Sequence, residues 1–183
     1  MIMHVAEAGE RRGRVVLHLA SGHPNEIAIE AAVRIAQAFN SEIESLFVED
    51  LQLYDLASYP FAREISLTRA RQRPLSRDDI EREMRLCGQS LQRRVEALAR
   101  AADVPLRAKV VRDDPVHALA KACAEDGPWN VVALADALAP GQGARLRDLF
   151  ATVVGTTGLM LVGPNARRTR GQIVAVVETP EHL

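Results

Sequence analysis

The chain has 183 residues and a formal net charge of −1, with a sequence pI near 6.5, so its composition builds neither a basic nucleic-acid surface nor a long acidic tail. Apolar residues make up 48% and aromatics only 4%, so the core of a single domain must be assembled from Val, Leu, Ile and Ala, the mixture of helices packed on a parallel sheet. No apolar run approaches the ~20 residues that span a bilayer, and the two isolated cysteines, Cys87 and Cys123, suit neither a disulfide framework nor a Cys-x-x-Cys metal site, which points to a reducing cytoplasm.

Residues 1–12 carry Glu7, Glu10, Arg11 and Arg12 and lack the apolar stretch of a signal peptide, so they read as an N-terminal tail. Arg14 to Ala20 is a short apolar run bounded by Gly13 and Ser21-Gly22, a first strand. Pro24 and Asn25 open a helix with apolar residues at Ile27, Ala28, Ala31, Ala32, Ile35, Ala36 and Phe39, and Asn40 ends it. Glu42 to Val48 is a second strand, closed by Glu49-Asp50. Residues 50–76 are irregular, mixing Leu51, Leu53, Tyr54, Leu56, Tyr59, Phe61, Ile65 and Leu67 with Arg63, Arg69, Arg71 and Arg73, and read as a surface excursion whose apolar residues pack back on the domain.

Ser76 is an N-cap, with Asp78 and Asp79 in the first turn of a helix that runs to about Ala102. Pro105 to Val111 alternates apolar with polar, as a third strand near a sheet edge does. Asp114-Pro115 pairs an N-cap with proline at the first helical position, and that helix ends near Asp126-Gly127-Pro128. Trp129 to Ala135 is a fourth strand. A Pro/Gly break follows (Pro140-Gly-Gln-Gly143), then a helix, and Leu159 to Val162 is a fifth strand. Strands and helices alternate throughout, the pattern of a doubly wound parallel sheet.

One apolar run is left over. Gln172 to Glu178 follows the polar linker Asn165 to Arg170, and Arg170-Gly-Gln-Ile-Val-Ala-Val-Val echoes Arg12-Gly-Arg-Val-Val-Leu-His-Leu, 158 positions earlier. Two explanations stand: any two such strands look alike, or residues 166–183 are a linker plus the first strand of a second copy of the domain. An orphan strand needs a partner, and it would extend a sheet edge of its own or of another chain.

Three features together carry a family resemblance: a first strand closing on small residues, a second closing on Phe47-Val-Glu-Asp50, and a fourth strand followed by a glycine-bearing loop, a helix and a fifth strand. From about residue 13 to residue 165 the chain resembles a universal stress protein (UspA-like) domain. The resemblance implies an α/β fold with a doubly wound five-stranded parallel sheet, of the adenine nucleotide alpha hydrolase-like kind, with the extra C-terminal strand added. It places a nucleotide pocket at Ala20, Ser21, Gly22, His23, Val48, Asp136, Gly141 and Gly143. ATP-binding members end their first strand in an Asp, where this chain has Ala20. They also carry Gly-x2-Gly-x9-Gly-Ser/Thr after the fourth strand, which cradles phosphates with backbone amides. Here Ala135, Leu138 and Asp148 stand at those glycines.

Several constellations compete for a function. Ser21, His23, Glu49, Asp50 and Asp136 fall at the carboxyl edge of the sheet, where ligands bind in this architecture. A metal or acid–base site is one reading, and polar residues capping strand ends is the ordinary one. His18 reads as a core histidine, and His117 as solvent-facing or helping to cap. The leading expectation is a cytoplasmic stress-response or regulatory domain without a cofactor, a homodimer that meets neither nucleic acid nor membrane, with no catalytic residues and no metal. The alternatives are a domain that binds ATP or AMP through a rearranged Gly141–Gly143 loop, and a hydrolase or metal-dependent enzyme at the strand ends.

Overall fold

The computed structural model describes residues 13–19, 26–65, 72–124, 130–134, 147–148, 151, 158–162 and 166–169. In chain order the elements are β1 (Arg14–Leu19), α1 (Glu26–Ala38), β2 (Glu42–Asp50), α2 (Leu51–Ala57), β3 (Arg63–Ile65), β4 (Gln72–Pro74), α3 (Arg77–Ala101), β5 (Leu106–Asp113), α4 (Pro115–Ala124), β6 (Asn130–Leu134) and β7 (Gly158–Leu161). Five strands form one sheet in the order β5-β2-β1-β6-β7, and each pairing is parallel. The doubly wound five-stranded sheet expected from the sequence is thus present. The additional strand expected at Gln172–Glu178, and the tail at 1–12, lie outside the described residues.

β1 shows why the runs read as buried strands. Val15, Val16 and Leu17 are all fully buried because the central strand is covered on both faces. One face carries Val15, Leu17, Ile43, Phe47 and Ala133 against α1 and α3. The other carries Val16, Leu46, Val48, Val132 and Leu134 against α4. Gly88 of α3 lies directly over the ring of Phe47, and a Cβ there would come within 2.8 Å of it. The missing side chain is what lets α3 approach the sheet this closely.

Local signals close the helices. Asn40 and Asp103 hold positive φ, 47° and 54°, just past the ends of α1 and α3. The next amides, of Ser41 and Val104, donate back to the carbonyls of Ala36 at 2.8 Å and Ala99 at 2.9 Å. These are two Schellman closures built with Asn and Asp in place of glycine. Ser76 caps α3 as expected, its hydroxyl accepting from the Asp79 amide.

Three ion pairs accompany the register of β2 against β5. Arg107 meets Glu42 at 3.4 Å, Lys109 meets Glu44 at 3.8 Å, and Arg112 meets Glu49 at 2.9 Å. Glu44 is fully buried. Its Oε2 accepts from Arg14 at 2.9 Å, while Arg14 also donates to Asn130 Oδ1 at 3.1 Å and to the Ala122 carbonyl at 2.6 Å. This network sits at the amino end of the sheet and ties β1, β2, β6 and α4 together.

The excursion is more ordered than its sequence suggests. It holds the two turns of α2 and the antiparallel β3–β4 hairpin. Tyr54 is its anchor, 2% exposed, whereas Phe61 (75%), Ile65 (60%) and Tyr59 (51%) face solvent. The expectation that its apolar residues pack back therefore holds for Tyr54 and Leu53 and fails for Leu51, Leu56, Tyr59, Phe61 and Ile65.

Candidate functional site at the carboxyl edge of the sheet

The strand order sets where a ligand belongs. From β1 the chain moves outward to β2 and β5, then jumps back across β1 to β6 and β7. The direction reverses between β1 and β6, and the crevice beyond their carboxyl ends is the binding position in open α/β sheets. Its loops contain Ala20, Ser21, Gly22, His23, Asp136, Gly141 and Gly143, all of which lie outside the described residues. Val48 is described. Its side chain is 3% exposed and packs with Leu46, Val132 and Leu134, so it serves the core under the crevice.

The β2–β5 half of the edge is described in full, and its polar groups are engaged with one another. Asp50 caps α2, accepting from the Gln52 amide at 3.0 Å. Glu49 accepts from the Tyr54 hydroxyl at 3.0 Å and from Arg112 Nε at 2.9 Å. The Arg112 guanidinium lies 4.1 Å from the centre of the Tyr54 ring, a cation–π stack. Burial, and then the hydrogen bond to anionic Glu49, push the Tyr54 phenol above its usual range. These residues brace α2 and β5 against β2.

The turn from β5 into α4 is closed in the same way. Asp114 Oδ1 accepts from the amides of Val116 at 2.9 Å and His117 at 3.1 Å. Asp113 accepts from the Asp114 amide and contacts His117 Nδ1 at 2.9 Å, and these bonds hold its carboxyl below the usual range, that to His117 most. His117 faces solvent and belongs to a cap, as the sequence suggested. His18 stands in the central strand β1, half-buried and outside the two core clusters. Desolvation by burial lowers its pKa from 6.5 to about 4, so at neutral pH it carries no charge.

Glu49 and Asp50 were legible as the acidic end of a strand. Tyr54 and Arg112, which define what Glu49 does, were not read as partners. The available signal was positional: Tyr54 is the single aromatic of α2, and Arg112 is the penultimate residue of the strand that pairs with β2. Among the described residues no group of His, Cys, Asp and Glu is arranged to hold a metal ion. Burial raises the pKa of the Cys123 thiol, which disfavours its reactive thiolate. No helix among the described residues is long and apolar enough to cross a membrane.

A sheet of this order, with its switch point between β1 and β6, defines an open, doubly wound α/β domain. Within that class the fold is that of the universal stress proteins. A universal stress protein family structure from Burkholderia pseudomallei superposes with a TM-score of 0.54, at 13% identity, over 84% of this chain and 98% of that one. UspA from Lactobacillus plantarum gives 0.53, at 14% identity, over 83% and 98%. No protein-family model matches the sequence, and no curated protein matches it either.

Proposed function

We propose that the chain is a universal stress protein-like regulatory domain that works in the cytoplasm by self-association, without the phosphate cradle of ATP-binding members and without catalysis of its own. The observation that carries this reading is the state of the β2–β5 edge. Glu49, Asp50, Asp113 and Asp114, the acids that a hydrolytic or metal-dependent mechanism would draw on, are committed to Tyr54, Arg112 and the amides of α2 and α4. Asp114 also lies within 3.4 Å of the Gln52 side chain, which links the two capped turns.

The loop sequence supports the same reading from the other half of the site. Ala135, Leu138 and Asp148 replace the three cradle glycines of the family pattern. Asp148 is an exposed helical residue, and its carboxylate opposes a polyphosphate.

Calorimetric titration of the purified full chain with ATP and with AMP tests the proposal. The expected result is no heat of binding at micromolar protein with ligand up to the millimolar range. Saturable binding at micromolar affinity, abolished by Gly143→Asp, would replace this reading with that of a nucleotide sensor using the Gly141–Gly143 loop.

A further inference from the structure

We infer that the β3–β4 hairpin docks this domain on a membrane surface rich in anionic lipid, its outward face entering the headgroup boundary. The inference goes beyond the regulatory reading above and does not depend on it. The expectation of no membrane partner rested on the lack of a spanning apolar run, and a hairpin that lies on the surface requires none.

Of the large apolar side chains that stand exposed among the described residues, five of eight lie between Leu51 and Ile65. The hairpin divides its chemistry between two faces. Glu64 and Arg73 are direct cross-strand partners, bonded at 2.7 Å, and Arg73 continues to Asp79 at 3.5 Å and Glu83 at 3.8 Å, so this face is turned to α3. Alternation along β3 turns Arg63 and Ile65 the other way, opposite Pro74 and Gln72 of β4. Phe61 leads into β3 exposed, with Ala62 after it buried, and its ring stacks on that of Tyr59, the centroids 5.3 Å apart and the planes inclined by 24°. The Leu75 amide donates to the Ala62 carbonyl at 3.0 Å and closes the base of the hairpin.

The outward face thus carries Tyr59, Phe61, Arg63 and Ile65 and no carboxylate. Clustered exposed apolar side chains mark a surface that a partner or a membrane covers. Two observations favour the membrane. Stacked aromatic rings beside an arginine have the chemistry of a bilayer interface, where rings take apolar area into the headgroup boundary and the guanidinium reaches phosphate. The charge is complementary as well. Residues 59–74 hold four arginines against one glutamate, in a chain whose net charge is −1. That glutamate, Glu64, is engaged by Arg73 on the inward face, while Arg63 has no ion pair among the described residues.

Co-sedimentation of the full chain with lipid vesicles tests this. The wild type is expected to pellet with vesicles containing about one-third phosphatidylserine, to stay in the supernatant with phosphatidylcholine alone, and to be released as salt is raised. Phe61→Ser/Ile65→Ser is expected to lower the partition coefficient at least about tenfold, and Arg63→Gln about fivefold. All three positions are exposed, so the far-ultraviolet spectrum and Tm should be unchanged. The chain has a single Trp, so the emission of Phe61→Trp, read against the wild type, should shift to the blue with acidic vesicles, and that of Val110→Trp, exposed on β5, should not. A wild type that remains in solution at millimolar acidic lipid overturns the proposal and leaves this face to a protein partner. Binding unchanged in Phe61→Ser/Ile65→Ser, or equal on phosphatidylcholine alone, overturns it too.

Discussion

Replacing Gly88 with alanine separates two effects of opposite sign. In the interior of a helix alanine is favoured over glycine by about 1 kcal/mol. At this position, however, the new Cβ would lie 2.8 Å from Phe47 Cδ1 and 2.9 Å from Cε1, and Phe47 is fully buried. The ring has little room to retreat, since it sits between the sheet and α3 in the larger core cluster. Overpacking of this kind costs about 1–3 kcal/mol. The net expectation for Gly88→Ala is a destabilisation of up to about 2 kcal/mol, or roughly 2–8 °C in Tm for a chain of this size. Phe47→Leu removes the clashing edge, so in that background Gly88→Ala should stabilise by about the helix term alone. Urea denaturation of the four proteins of this cycle gives the coupling directly. Gly88→Ala stabilising the wild type by a full 1 kcal/mol, or additive effects across the cycle, would refute the claim that close approach of α3 to Phe47 is why the residue is glycine.

Three further outcomes follow from the same reasoning. His18 titrates near 6.5 when unfolded and near 4 when folded, so the unfolded chain takes up a proton first as pH falls. Its contribution is complete above pH 6.5 and is lost towards pH 4. The ceiling is about 3 kcal/mol, lowered by residual solvent contact at the ring, and His18→Gln should flatten that part of the stability profile in denaturation at stepped pH. Arg14→Met takes the 2.9 Å guanidinium partner from the buried carboxylate of Glu44, which keeps Lys109 at 3.8 Å, and should cost up to about 3–5 kcal/mol, most of it recovered in Arg14→Met/Glu44→Leu; equal losses in the single and double variants would contradict this. Asp103→Gly relieves a positive φ at the end of α3 and should raise stability by about 0.5–1 kcal/mol in thermal denaturation.

Much of the fold is legible in the sequence because its signals are local. The unbroken apolar run of β1 marks a central strand. Asn40 marks a helix end that its own backbone closes, and Asp114-Pro115 marks a start that its own side chain caps. The alternation in β5 placed it at an edge, where it is. The excursion was not legible because α2 and the β3–β4 hairpin are too short for periodicity to reveal. They are held by tertiary contacts: Tyr54 buried against the sheet end, and Arg73 of β4 bonded to Glu64 of β3 and paired with Asp79 of α3. The candidate site was legible as a place more than as a mechanism. Glu49 and Asp50 stand where the sequence put them, at the carboxyl edge, and the long-range pairing of Glu49 with Arg112, 63 residues on, decides what Glu49 does.

A brace of Glu49, Tyr54 and Arg112 with capped turns at Asp50 and Asp114 holds the β2–β5 end of the sheet through the chain's own side chains. The crevice between β1 and β6 is built on other loops. Substitutions in the loops that follow β1 and β6 therefore need not loosen the β2–β5 end of the edge. Tyr54→Phe and Arg112→Met should accordingly act on stability, while His23→Ala and Gly143→Asp should act on ligand binding or on nothing. A nucleotide affinity that fell with Tyr54→Phe at unchanged stability would show instead that the two halves of the edge form one site.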